Sequence, residues 1–161
     1  MPYRAFIKCI FAKTYHEAIS DFKESLSEFG NSYEMDHTYK FYIGLSYLQL
    51  NEFEKAEKIF EEDLNELGPN ESVHHLDLFY YGIAKYEQEK WQEAIVQFDK
   101  ALELYPQFSD VQYYKAISMA RLGYTEEADV LFQESEKNRN TGYTINEGNS
   151  VYENYPYQIR W

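Results

Sequence analysis

The apolar positions of this chain recur at helical spacing, and the helical segments they mark recur in turn. YHEAISDF (15–22), FEKAEKIF (53–60), WQEAIVQF (91–98) and TEEADVLF (125–132) align on one template. Each pairs an alanine with a phenylalanine four residues later, as Ala18/Phe22, Ala56/Phe60, Ala94/Phe98 and Ala128/Phe132, and successive alanines lie 38, 38 and 34 positions apart. Twelve residues before each of the last three alanines stands another small residue, Gly44, Gly82 or Ala116. A constant twelve within a variable total places the extra four residues between repeats, in NSYEMDHT and GPNESVHH, which are loop-like in composition. The pattern predicts helices over 3–13, 16–29, 36–50, 52–67, 73–89, 91–105, 109–122 and 125–138. Pro69 and Pro106 follow second helices, where proline stops a helix.

This spacing is that of a helical hairpin. Small residues on the first helix (Gly44, Gly82, Ala116) and on the second (Ala56, Ala94, Ala128) let two helices approach closely. The phenylalanine one turn beyond each alanine lies on the same face and fills the space left. These residues resemble the tetratricopeptide-repeat (TPR) family, a helix-turn-helix of about 34 residues with small side chains at its eighth and twentieth positions and an aromatic at the twenty-fourth. The third repeat, LFYYGIAKYEQEKWQEAIVQFDKALELYP, carries Gly82, Ala94, Phe98, Ala101 and Pro106 in place. The second has Asp63 where a small residue is usual, the fourth has Ser135 there and no closing proline, and the first has Phe6 at the small first-helix position. The resemblance spans about residues 3–138 and implies an all-α, right-handed solenoid of antiparallel helix pairs. It gives a TPR domain over 1–140 with three to four repeats (about 1–35, 36–72, 73–106 and 107–140) and a non-repeat tail, 141–161.

In that family a partner lies against the first helices, in a concave groove. The resemblance places Phe41, Tyr42, Leu45 and Leu48 of the second repeat there, Leu76, Phe79, Tyr80, Ile83 and Tyr86 of the third, and Tyr113, Tyr114 and Ile117 of the fourth, beside Thr38 and Asp110. Family members that clamp a C-terminal carboxylate carry cations and amides on these faces. Phe41, Phe79 and Tyr80 occupy such places here, which argues against a carboxylate ligand and for an apolar or amphipathic segment. Aromatic residues at helical spacing also serve as core, so part of this set is expected to pack helix on helix.

The tail, TGYTINEGNSVYENYPYQIRW, loses the helical period yet keeps Tyr143, Tyr152, Tyr155, Tyr157 and Trp161. Such aromatic content argues against disorder. The tail is expected to fold back, either over the last hairpin or into the groove, with Tyr155, Pro156, Tyr157 and Trp161 as anchors. Capping the last hairpin is the preferred alternative, because repeat arrays need an end cap.

The formal charge of −13 is densest in residues 36–72, which carry −6. That field opposes phosphate backbones and anionic lipid, so neither nucleic acid nor membrane is an expected partner, and it suits a basic protein. A single cysteine, Cys9, excludes an internal disulfide and any CxxC metal or redox motif. Cys9 lies among Phe6, Ile7 and Ile10 and reads as a small core residue. Lys8 and Lys13 interrupt the apolar N-terminus, and a cytoplasmic location is expected. His74 and His75 are adjacent, which does not give the shared face of an i, i+4 metal pair. HExxH, GxSxG, P-loop and GxGxxG motifs are absent from the sequence. No cofactor, metal or catalytic residue is therefore expected. The expected function is a non-enzymatic adaptor or chaperone that binds a protein or peptide segment in the groove. The alternative is an acidic immunity protein or inhibitor that neutralises a basic toxin or enzyme. A homodimer through leftover aromatic surface is compatible with either.

Overall fold

The computed structural model describes residues 1–68 and 71–160; Pro69 and Trp161, assigned above to a helix stop and a tail anchor, lie outside the described residues. Among the described residues are eight α-helices: α1 (Pro2–Ile7), α2 (Tyr15–Phe29), α3 (Tyr39–Gln49), α4 (Phe53–Asn65), α5 (His75–Glu87), α6 (Trp91–Leu104), α7 (Ser109–Arg121) and α8 (Thr125–Asn140). They form four successive hairpins in an all-α helical-repeat fold. The chain divides into two compact units, Met1–Ser72 and Val73–Trp161, each containing two hairpins. No helix among the described residues is long and apolar enough to cross a membrane.

Every hairpin reverses through one residue in the left-handed region: Lys13 (φ 57°), Asn51 (58°), Glu89 (59°) and Gly123 (93°). These four are 38, 38 and 34 positions apart, the same intervals that separate the alanines. The repeat is thus written in the backbone as well as in the side chains. In the last three hairpins the next residue's N–H donates to a carbonyl five positions back: Glu52 to Tyr47, Lys90 to Lys85 and Tyr124 to Met119. In the first hairpin Thr14 N–H reaches Lys8, six positions back, across a π-helical turn at Lys8–Ala12. A π turn accommodates one extra residue in a helix. Counting back across that insertion puts Ala5, which is fully buried, at the small-residue place of the first repeat. Phe6, the residue expected there, moves off it and packs edge-on against Tyr42 at 5.5 Å.

The small residue makes room for the phenylalanine of its own hairpin. A Cβ on Gly44 would stand 2.5 Å from Phe60 Cε1, and one on Gly82 2.6 Å from Phe98 Cε1. Both rings are buried. Ala116 and Phe132 hold the corresponding places in the fourth hairpin, where Phe132 is half-buried against Tyr113, with ring centres 5.6 Å apart.

In the first unit, Phe22 stacks on Tyr42 (5.1 Å, 6°) and His37 stacks on Phe41 (3.9 Å). Asp21 of α2 receives Arg4 Nε at 2.9 Å and Lys8 Nζ at 3.0 Å. Burial alone would raise the Asp21 pKa, but these two cations outweigh it and hold the carboxyl below its ordinary value.

Two expected helix starts are displaced, both by caps. The helix expected from residue 36 begins at Tyr39, because the preceding loop forms a short antiparallel ribbon, β1 (Tyr33–Glu34) with β2 (His37–Thr38). Thr38 then caps α3, its Oγ1 accepting from Phe41 N–H at 3.1 Å. The same hydroxyl donates to Asp63 Oδ2 at 2.7 Å, and Asn31 Nδ2 donates to Asp63 Oδ1 at 2.7 Å. An aspartate in place of a small residue in α4 is thereby explained: it ties down the longer inter-repeat link. Similarly, the helix expected from residue 73 begins at His75, where His74 Nδ1 accepts from Leu76 N–H and Asp77 accepts from His74 N–H, a reciprocal cap.

Candidate functional site

The twelve residues assigned to the groove fall into two groups. Phe41, Tyr42, Leu45, Leu48, Leu76, Phe79, Tyr80 and Ile83 are at most 1% exposed. Tyr86, Tyr113, Tyr114 and Ile117 are half-buried. The first four belong to the first unit, where Phe41 meets Phe60 and Tyr42 lies between Phe6 and Phe22. The other eight belong to the second unit. There Phe79 meets Phe98, Phe108 and Tyr114, with ring centres 6.3, 5.3 and 5.9 Å away. Above that layer Tyr86 packs edge-on against Trp91 (5.3 Å) and Tyr114 (5.2 Å), and Tyr113 packs edge-on against Tyr114 (5.3 Å).

The tail of the second unit reaches these same helices. Leaving α8, the chain passes Gly142 in the left-handed region (φ 90°) and runs back to the start of α7. Ser109 N–H donates to Tyr143 O at 3.0 Å, and Tyr105 OH donates to Thr144 O at 3.2 Å. A 3₁₀ turn at Gly148–Val151 reverses the chain. Pro156 O then accepts from Tyr80 OH at 2.9 Å, and Tyr157 OH donates to Glu87 Oε1 at 2.8 Å while its ring meets Tyr114 at 5.8 Å. Tyr155 is 2% exposed. Of the residues the tail meets, Tyr80 and Tyr114 are among those assigned to the groove, while Glu87, Tyr105 and Ser109 are not.

Asp110 holds both ends of this excursion. Its Oδ2 accepts from Thr144 Oγ1 (2.8 Å) and Ile145 N–H (3.2 Å), and its Oδ1 accepts from Ile159 N–H at 2.7 Å. Desolvation raises its pKa above the ordinary carboxylate value, and the donated hydrogen bonds only partly offset that. Sequence reasoning placed Asp110 among the lining positions without giving it a role, and it overlooked Glu87. The available signal was one carboxylate among lining positions that are otherwise uncharged.

Electrostatically the second-unit face is a surface of neutral phenols. Burial raises the pKa of Tyr80, Tyr86, Tyr114 and Tyr157, and neighbouring carboxylates add to the effect. Such hydroxyls stay protonated at neutral pH and act as hydrogen-bond donors. The arrangement can therefore grip a backbone: phenols donate to carbonyls, Asp110 accepts from N–H groups, and rings clasp side chains. Elsewhere, the first unit has a polar hollow of about 140 Å³ bounded by Asn31, Thr38, Asp63, Glu66 and Glu71. Cys9 is buried, with its thiol pushed up to about 12 by desolvation.

A tetratricopeptide-repeat family model matches residues 75–108. No curated relative matches the chain. Among solved structures, MamA MSR-1 C2 is similar with a TM-score of 0.65 at 21% identity, over 80% of this chain and 69% of that one. MamA AMB-1 C2221 gives 0.61 at 22% identity, over 76% and 67%. MamA RS-1 ArsTM double mutant gives 0.67 at 16%, over 80% and 67%. At such identities the likeness is one of fold. Residues 75–108, which carry α5 and α6, thus match the tetratricopeptide-repeat family, and the chain repeats the same hairpin fold on either side of them.

Proposed function

We propose that the chain is a non-enzymatic interaction module that binds a protein or peptide segment against the first helices of its hairpins. The observation that carries this reading is that α5 and α7 already hold a non-helical segment, the chain's own tail, by backbone and side-chain bonds at Tyr80, Glu87 and Asp110. The residues suited to meeting a partner are the half-buried Tyr86, Tyr113, Tyr114 and Ile117. The fully buried Phe41, Phe79 and their neighbours set the shape of the face from beneath it.

Panning the immobilised chain against a displayed peptide library tests this reading, with affinities of selected peptides measured by calorimetry at low and high salt. Enriched segments should be apolar or aromatic, lose affinity on Tyr113→Ala or Tyr86→Ala, and depend little on salt. Failure to enrich any segment, or affinities indifferent to both substitutions, would sink it. A second reading, an inhibitor of a basic protein, is supported by the charge of −13 and by the exposed Glu54 and Glu61 of α4. In that case reversing Glu61 should slow association and binding should weaken steeply with salt. Asp63 is excluded from that test because its carboxylate is held by Thr38 and Asn31.

A further inference from the structure

The tail's last turn is made with the wrong residue for its shape. Tyr155, Pro156, Tyr157 and Gln158 form a tight turn in which Gln158 N–H donates to Tyr155 O at 3.2 Å and Tyr155 N–H donates to Gln158 Oε1 at 3.2 Å. Proline second and a left-handed residue third is the pattern of a type II turn, whose third residue is ordinarily glycine. Here it is Tyr157, at φ 59°. A bulky side chain held in that region signals that the surroundings, and not the local chain, impose the conformation. Those surroundings are the binding face: Tyr80 on the Pro156 carbonyl, Glu87 and Tyr114 on the Tyr157 side chain, and Asp110 Oδ1 on Ile159 N–H.

Release of this turn does not require release of the whole tail. Asp110 divides its oxygens, with Oδ2 holding Thr144 and Ile145 and Oδ1 holding Ile159. The near end of the tail and its last turn are thus held by different oxygens of one carboxylate. Of the turn's residues only Tyr155 is fully buried, and Pro156, Tyr157, Gln158 and Ile159 remain partly open to solvent.

We propose that residues 155–159 are a resident ligand of the second unit's face, displaced by a partner protein that presents the same chemistry: an aromatic–proline–aromatic turn followed within two residues by a free backbone N–H. This rests on the interaction-module reading above and adds the identity of the segment. The face recognises a turn by one carbonyl, one N–H and two rings. The tail, tethered beside it at a local concentration on the order of millimolar, sets a threshold that a partner must exceed. A partner with glycine or asparagine following the proline meets the backbone geometry without the conformational cost that Tyr157 bears, though it forgoes the ring contacts.

The test uses the full chain and a fluorescent synthetic peptide of residues 150–160, read by anisotropy. In a full-length Tyr155→Ser/Tyr157→Ser variant the tail can no longer compete, and the peptide should bind at least about tenfold more tightly than to the unmodified chain. Adding Tyr80→Phe to that variant should weaken the peptide by about two- to tenfold, the worth of one hydrogen bond. If the tail variant melts cooperatively and binds the peptide no better than the unmodified chain does, the proposal fails. Should the variant not fold, hydrogen exchange on the unmodified chain decides. The Ile159 amide should exchange faster than that of Ile145, and equal protection of the two overturns the idea. Concentration-dependent dimerisation that the tail variant abolishes would make a second copy's tail the occupant, which also overturns it. Tight library peptides lacking the aromatic–proline–aromatic turn would refute this inference and leave the broader function standing, whereas a library yielding nothing would remove the function itself.

Discussion

Adding one methyl group at Gly82 sets two effects of opposite sign against each other. Helix propensity favours the change, because alanine in a helix interior is about 1 kcal/mol better than glycine. Packing opposes it. The new Cβ would lie 2.6 Å from Phe98 Cε1, 2.7 Å from Cδ1 and 3.3 Å from Gln97 Cβ. The two ring contacts are far inside an ordinary carbon–carbon separation of about 3.5–4.0 Å. Phe98 cannot swing out of the way, since it is fully buried with Phe79 beside it. Overpacking of a filled core costs about 1–3 kcal/mol, and a double contact this short belongs in the upper half of that range. The net expectation is a loss of about 1–2 kcal/mol, or roughly 2–8 °C in Tm for a chain of this size. Thermal melting followed by circular dichroism measures it. Gly148→Ala, with nothing within 4 Å of its new Cβ and no positive φ, serves as the neutral control. Gly82→Ala/Phe98→Leu should recover part of the loss. A rise in Tm for Gly82→Ala would mean that propensity outweighs the clash, and the account of why small residues recur twelve positions before the alanines would be wrong.

Other consequences follow from the same geometry. Glu89→Gly places the residue suited to a left-handed conformation at φ 59° and should raise stability by about 0.5–1 kcal/mol in urea unfolding; a decrease would argue against strain in that turn. Asp110→Asn can satisfy only one end of the tail, because an NH₂ group must face either Ile159 N–H or the Thr144 and Ile145 donors, so hydrogen exchange should speed up at one end. Burial raises the folded Asp110 pKa above 3.8, so this carboxyl contributes stability at pH below 3.8 that is lost as pH rises through the folded value. Unfolding free energies measured against pH should lose that slope in the asparagine variant. The Cys9 thiol, buried and raised to about 12, should resist alkylation in the folded chain and react at the rate of unfolding; prompt labelling of folded protein would contradict its packing.

The eight helices, their pairing and the hairpin turns were legible along the chain, because a helix face and its partner are encoded by residues four and twelve positions apart. The left-handed residues at 13, 51, 89 and 123 keep the same 38, 38 and 34 intervals, as a repeat of fixed geometry must. What the period could not register was the π turn at Lys8–Ala12, since an inserted residue shifts the face without changing the composition, and Ala5 takes the place that counting assigned to Phe6. Nor could spacing separate the aromatic residues that fill the core from those left at the surface. Phe79 and Tyr86 lie seven positions apart, two turns along one helix, yet one is fully buried and the other half-exposed. That division depends on which side chains arrive from distant parts of the chain. Tyr80 and Pro156 meet across 76 positions, and no local pattern announces such a contact. Sequence by itself determined the repeating unit, whose reasons are local and periodic; the tertiary structure alone decided where the aperiodic tail lies, because its seat is chosen by hydrogen-bonding groups that only folding brings within reach.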